Sequence, residues 1–265
     1  MSTTHSNKHS GDAAANNSLA SLDPRSKLLL AVGFILTLSL LPPGNFILYL
    51  LLLLILYAAV LLSREDIIFL LKRSVIALPF ALAAATLLFT VPGKTLATLP
   101  GVNIGITVEG FVRFTSIVLK SWISVQAAVL LVKLTEISDL MWALQSFRVP
   151  PILISVANFS YRYLDVLRSE GARLRTARDS RSAVLPGKKP GGGLLWRARV
   201  TGWMVGSLMI RSMERSERIY SAMLARGFTG RIKTLKHFRM NILDYGTLTV
   251  GAILYIGVLS ASLVS

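Results

Sequence analysis

Two apolar stretches, Phe46 to Leu62 and Tyr245 to Val264, constrain this chain more than any other feature. Each approaches the ~17–25 residues that cross a bilayer core as a helix. A soluble core has no place for so much continuous apolar surface. Charge is correspondingly scarce: 16% of the 265 residues are Asp, Glu, Lys or Arg, where soluble domains average about 25%. Backbone polar groups inside lipid must be satisfied within the segment itself, which favours helices. The chain therefore reads as an all-α polytopic membrane protein.

Three further runs bring the expected total to about five spans. Leu28 to Leu41 follows Asp23-Pro24-Arg25-Ser26-Lys27 and stops at Pro42-Pro43-Gly44, where proline removes donors and turns the chain. A helix of that length is about 21 Å long, short of the ~30 Å hydrocarbon core, so flanks or neighbours must complete it. Val75 to about Val91 is the third span, with a kink expected at Pro79 and an end at Pro92-Gly93-Lys94. Thr95 to Gly110 mixes polar and apolar residues and reads as a short extracellular loop or hairpin. Phe114 to Val132 is the fourth span and contains Lys120, Ser121, Ser124 and Gln126. A lysine inside a span is costly and must face protein, water or an interface. A buried polar contact and a pathway lining both remain open for Lys120 and Gln126.

The resulting division is a disordered polar tail (1–21), four spans (22–132), a basic helical region (133–240) and a final span (241–265). The tail lacks an apolar core beside a cleavage site and does not read as a secretory signal. Net charge is +16, and its placement is informative. Eighteen Lys/Arg face five Asp/Glu between Arg162 and Arg239, so +13 of the total lies there. Arg25, Lys27, Arg64, Lys72, Arg73 and Lys133 fall on one side of the expected spans, against Lys94 and Arg113 on the other. Basic flanks stay inside, which places the N-terminus in the cytoplasm of a cell membrane and, by parity, the C-terminus outside.

Within the basic region, Lys133 to Arg148 is an amphipathic helix candidate. Ile152 to about Arg178 and Leu194 to Arg226 read as two long helices. They are joined by a Pro/Gly/Lys linker at 186–193. On the second, Met209, Met213, Tyr220, Met223 and Leu224 fall at helical spacing and read as a packing face. Gly227 is its C-terminal cap, and Arg226 complements the negative end of the helix dipole.

Catalytic patterns are missing. There is no cysteine, and the histidines are His5, His9 and His237, two of them in the polar tail. Neither a thiolate site nor a metal cage is expected. No phosphate-binding Gly-x-x-x-x-Gly-Lys-Ser/Thr loop, His-Glu-x-x-His or Gly-x-Ser-x-Gly occurs. Glu136 with Asp139 complements a helix dipole, and Glu214 with Glu217 is explained by ion pairing with the interleaved Arg211, Arg215 and Arg218. The chain reads as non-catalytic and without a bound cofactor. The two basic helices could lie on anionic lipid, bind nucleic acid, or dock into partner proteins. Leu, Met and Tyr interleaved with the arginines suit packing better than phosphate tracking and argue against nucleic acid.

Several stretches carry a family resemblance. They are Asp23-Pro24-Arg25-Ser26-Lys27-Leu28, Leu88-Phe89-Thr90 with Pro92-Gly93, Ser160-Tyr161-Arg162-Tyr163-Leu164, and Gly206 to Tyr220 continuing through Ala222 to Phe228. Together, over about residues 20–260, the chain resembles the transmembrane T component of energy-coupling factor (ECF) transporters, of the cobalt-type CbiQ family.

The resemblance implies a membrane scaffold joining two cytoplasmic ABC ATPases to a membrane-embedded substrate-capturing subunit. ATP and magnesium would be held by the ATPases, and the transported cobalt ion by the capture subunit. It further implies that the two long helices are coupling helices, whose Ala-Arg-Gly-type tips enter grooves in the ATPases. Ala225, Arg226 and Gly227 match the second tip. Ala177, Arg178 and Asp179 match the first, with Asp where a small residue is usual; Ala172-Arg173-Leu174 is an alternative phase. A nickel or vitamin importer, and a stand-alone carrier or channel, remain as alternatives.

Overall fold

The computed structural model describes residues 22–92, 95–98, 105–181, 193–230, 238 and 240–264. The tail 1–21, linker residues 186–192 and all three histidines lie outside the described residues. Two compact units are present: the chain through Ala143 together with Lys236 onward, and Leu144 to Leu235.

In the first unit, α1 spans Pro24–Leu40 and so begins earlier than the apolar run alone indicates. Asp23 caps it by accepting from the Arg25 N–H at 2.9 Å, and Pro24 occupies the first turn, where a missing N–H is harmless. The charged Asp-Pro-Arg-Ser-Lys stretch is thus the helix start, not its flank. Helix α2, Phe46–Leu62, buries Tyr49, Leu52, Leu56 and Val60 at steps of three and four, while Ile47, Leu50, Leu54 and Leu61 face outward. Each of these helices has 17 residues, at the short end of the spanning range.

The third run departs from expectation. After α3 (Ile67–Arg73) the chain makes a 3-10 turn (Ser74–Ala77), then α4 (Leu78–Ala84) and a single turn α5 (Leu87–Thr90). Pro79 does not kink a continuous helix; it sits in the first turn of α4, where it is tolerated. The hairpin is present as β1 (Thr95–Thr98) paired antiparallel with β2 (Gly105–Thr107).

Helix α6, Val108–Leu134, has 27 residues and is longer than the expected span at both ends. Thr107 caps it, accepting from the Gly110 N–H at 3.1 Å while donating to the Val91 carbonyl at 2.8 Å. Here α5 lies against α6 backbone to backbone. A Cβ at Gly110 would fall 2.8 Å from the Leu87 carbonyl oxygen and 3.2 Å from that of Leu88. Neither oxygen can rotate away as a side chain could. Gly110→Ala is therefore expected to cost about 1–3 kcal/mol, as overpacking does. A lowered thermal midpoint of the detergent-purified protein is the readout; an unchanged midpoint would show that α5 is free to shift.

Lys133 belongs to the end of α6 and pairs with Glu65, its ammonium 4.3 Å from the centroid of the Phe69 ring. The amphipathic candidate after it is correspondingly shorter: α7 covers Ile137–Ser146. Arg148 then turns with φ of 60° ahead of Pro150-Pro151.

The last helix of this unit, α10, is Ile242–Val264. It lies on α1: the Tyr255 hydroxyl donates to the Leu30 carbonyl at 2.9 Å, and its ring meets Phe34 edge-on at 6.3 Å. At its start Asp244, 3% exposed, accepts the Asp23 N–H on Oδ1 and the Asn241 N–H on Oδ2, both at 2.8 Å. One carboxylate therefore holds the beginnings of α1 and α10 together.

Among the described residues, α6 and the Ile242–Leu263 part of α10 are long and apolar enough to cross a membrane alone. Only 22% and 11% of their most apolar windows are buried inside the chain. A soluble core helix shows the reverse. With their apolar faces turned outward, these helices need lipid or other apolar surface as surroundings. This is an all-α membrane protein, with the small hairpin as its only strands among the described residues.

The second unit is an antiparallel pair, α8 (Pro151–Arg181) and α9 (Leu194–Ala225). Three contacts set its register: Arg215 Nη2 to Glu170 Oε2 at 2.6 Å, Phe159 to Phe228 at 6.3 Å between centroids, and Ser155 Oγ to the Gly230 carbonyl at 3.2 Å.

Candidate functional site

The two basic tips differ in construction. At the second, Arg226 is the C-cap of α9 and Gly227 follows with φ of 78°, a left-handed conformation that strains any side chain bearing Cβ. The Gly227 N–H donates to the Leu224 carbonyl at 2.9 Å and the Phe228 N–H to that of Met223 at 3.0 Å. This pair of bonds is the Schellman motif, which satisfies two orphan carbonyls at a helix end. Phe228 and Met223 then turn into the same groove against α8, where Phe228 meets Phe159. The elbow is thereby anchored on both sides. Ala225, Arg226 and Gly227 are left exposed, and the Arg226 side chain has no ion pair or hydrogen bond among the described residues.

The first tip lies inside the last described turn of its helix rather than at a capped end. Helix α8 continues through Arg181, so Arg178 lies within its last turn. Its guanidinium forks onto one oxygen of Asp179, Nε at 3.1 Å and Nη2 at 3.0 Å. The acid that departs from the expected pattern therefore engages the arginine locally. Arg173, the alternative phase, is exposed one turn earlier.

The expected packing face of α9 is offset from the observed one. Met209, Met213, Tyr220 and Leu224 are 61%, 55%, 53% and 51% exposed. Against α8 lie Ser212, Arg215, Ile219 and Met223, with the Tyr220 side chain at the edge. They line a groove of about 460 Å3 floored by Phe159 and Tyr163. Periodicity located the correct helix, but several positions belong to its free side. An apolar side chain at helical spacing does not say which partner covers it.

The polar residues of the fourth span also have a placement. Lys120 donates to the carbonyls of Ser39, at 3.3 Å, and Leu41. These are acceptors at the end of α1, orphaned because Pro42 and Pro43 stop the helix. Lys120 therefore closes a helix terminus. Gln126 is fully buried, and its amide has no partner among the described residues. No cluster of three or more His, Cys, Asp or Glu suited to a metal occurs among them either.

Outward-facing apolar helices and a pair of long basic helices, one ending in an exposed arginine elbow, define a helical membrane protein with a strongly basic second unit. The family model for cobalt transport proteins, CbiQ, matches residues 15–237. The chain belongs to that family. An uncharacterized protein of Methanocaldococcus jannaschii is 29% identical over 167 residues, which is 63% of this chain and 55% of that protein. The cobalt transport protein CbiQ of Rhodobacter capsulatus is 26% identical over 133 residues, 50% of this chain and 52% of that one. The match thus spans about half the length of these two relatives. A fuller one, 26% identity over 90% of this chain and 87% of the relative, is to the energy-coupling factor transporter transmembrane protein EcfT of Lactobacillus helveticus.

Proposed function

We propose that this chain is the T component of an ECF-type importer for cobalt ions. It couples two ABC ATPases to a membrane subunit that captures the ion. ATP is hydrolysed in the partners, and this chain contributes no catalytic group. The observation that carries the reading is the second tip: an exposed arginine on a rigid Schellman elbow, at the end of a 32-residue helix. A rod ending in an exposed guanidinium suits force transmission into an acidic or carbonyl-lined groove. Cobalt is preferred as cargo because the family model and the Rhodobacter relative are both named for it. A stand-alone carrier is the weaker reading, since Lys120 is committed to the end of α1.

The test is co-purification of ATPase subunits with the tagged chain from its native membrane, together with uptake of radioactive cobalt, nickel and vitamins by cells with and without it. ATPase recovery with cobalt-specific loss of uptake supports the proposal. Recovery of the chain alone from an intact, transporting membrane opposes it.

In this arrangement the chain crosses the membrane several times, with the N-terminus and the α8–α9 pair in the cytoplasm and the C-terminus outside. A single cysteine introduced as Pro190→Cys should resist an impermeant maleimide in intact cells and react after lysis. The parent chain has no cysteine to interfere. Labelling from outside would reverse the topology.

A further inference from the structure

Toward the end of the α8–α9 pair away from Arg226 lies a second cleft, of about 610 Å3, between the last turns of α8 and the part of α9 from Trp196 to Arg211. Its charged lining is Arg173, Arg178, Arg181 and Arg211 with one acid, Glu170. Glu170 is already committed to Arg215 at 2.6 Å. Arg178 is turned onto Asp179, but Arg173, Arg181 and Arg211 have no ion pair among the described residues. The cleft therefore carries uncompensated positive charge.

Its floor is apolar. Leu174, Val200 and Met204 line it, and the Trp196 indole forms one wall. Beside it, α9 exposes Leu194 and Leu195, each at 85%, and Trp203 at 76%. No acidic residue occurs between Leu194 and Met213, whereas Arg197, Arg199 and Arg211 do. Trp, Leu and Arg around a helix with no acid are the composition of a segment lying in the head-group region of a bilayer. Guanidinium groups bind phosphate bidentately, and the apolar floor accepts the glycerol and upper acyl carbons.

We infer that this cleft binds the head-group phosphate of an anionic phospholipid, held by Arg173, Arg181 and Arg211 over Trp196. An acidic protein segment would find the same charge. It would not, however, call for exposed Leu194, Leu195 and Trp203 at the rim. Lipid binding here stands independently of whether Arg226 docks on an ATPase, and Arg178 of the first tip, which also lines the cleft, is held by Asp179 and is not one of the lipid ligands.

The full chain is reconstituted in nanodiscs of phosphatidylcholine alone or with phosphatidylglycerol. Backbone hydrogen exchange is followed over 173–181 and 194–204, and retained lipid is counted by native mass spectrometry. Phosphatidylglycerol should slow exchange in both segments and remain bound. Inorganic phosphate added to phosphatidylcholine discs should not reproduce the protection; if it does, the ligand is free phosphate and the lipid assignment falls. Each arginine near an anionic surface contributes roughly a fivefold gain in affinity, so Arg173→Gln with Arg211→Gln should weaken phosphatidylglycerol retention by roughly 30-fold. Arg168→Gln, on the same helix but paired with Asp165 at the surface, should leave it unchanged. Trp196→Ala, which retains every charge, should release lipid while leaving the α8–α9 pair folded by circular dichroism. Equal exchange in both disc types overturns the inference, as does a loss with Arg168→Gln equal to that of the double variant. Protection that appears only when co-purified protein partners are present also overturns it and assigns the cleft to an acidic partner.

Discussion

Arg226→Ala will leave this protein in the membrane at normal abundance, yet sharply reduce ATPase co-purification and cobalt uptake. The side chain is exposed and has no ion pair or hydrogen bond among the described residues, so folding loses little. The backbone elbow is held by the Met223 and Leu224 carbonyls and by Gly227, which the substitution does not touch. In a complex, the guanidinium would enter a partly desolvated groove and meet carboxylate or carbonyl acceptors through its planar fork. Truncating one member of such a pair costs on the order of 2–5 kcal/mol, or roughly 30-fold to several thousandfold in affinity. Arg226→Lys should rescue poorly, because an ammonium does not reproduce the fork. Arg178→Ala should act in the same direction but more weakly, since that guanidinium is already engaged by Asp179 at 3.0 Å. Substituting Lys188 or Lys189 should do little. If Arg226→Ala retained wild-type assembly and uptake while the lysine changes destroyed both, the docking role would be wrong.

Asp244→Ala should be the most damaging single change to the membrane unit itself. The carboxylate accepts two main-chain N–H groups, from Asp23 and Asn241, and is nearly fully buried. Hydrogen bonds to a charged group contribute about 1.5–3 kcal/mol each, so losing both should cost about 3 kcal/mol or more. The penalty includes two buried N–H donors left without acceptors. Asp244→Asn keeps one acceptor oxygen and should lie between the parent and alanine. The measurement is the thermal midpoint in detergent, with protease sensitivity near residue 24 as the local readout. An unchanged midpoint for Asp244→Ala would mean that Tyr255, bonded to the Leu30 carbonyl, suffices to hold α10 on α1.

What was legible in the sequence was whatever a short window carries. The α2 run is apolar at every turn, so a helix in apolar surroundings is readable from its composition, although its 17 residues fall at the short end of the spanning range. Gly227 after a long periodic stretch marks a helix end, because only a residue without Cβ enters the left-handed turn cheaply. The hairpin between Thr95 and Thr107 was readable as a loop or hairpin because its residues satisfy neither helical period nor apolar length. The third run misled because apolar content does not report continuity. Pro79 and the threonine hydroxyls, Thr86 on the Ala83 carbonyl and Thr90 on the Thr86 carbonyl, accompany a break into short pieces.

By itself, then, the sequence determined the solvent this chain requires, the two long basic helices and the glycine that ends the second. Each depends on composition or on neighbours a few residues apart. Which groups are committed and which stay exposed was settled by folding. Lys120 reaches carbonyls 79 and 81 residues away, Asp244 reaches a backbone 221 residues away, and Arg215 meets Glu170 across 45. The same holds for the faces of α9, where Met223 turns inward while Met209 and Met213 stay outside. The physical reason is that charge and helical period are properties of the chain, whereas an acceptor is consumed by whatever donor folding brings within about 3 Å. Arg178 and Arg226 are the same residue type near the ends of similar helices. A carboxylate beside one, and an exposed glycine elbow at the other, make them different.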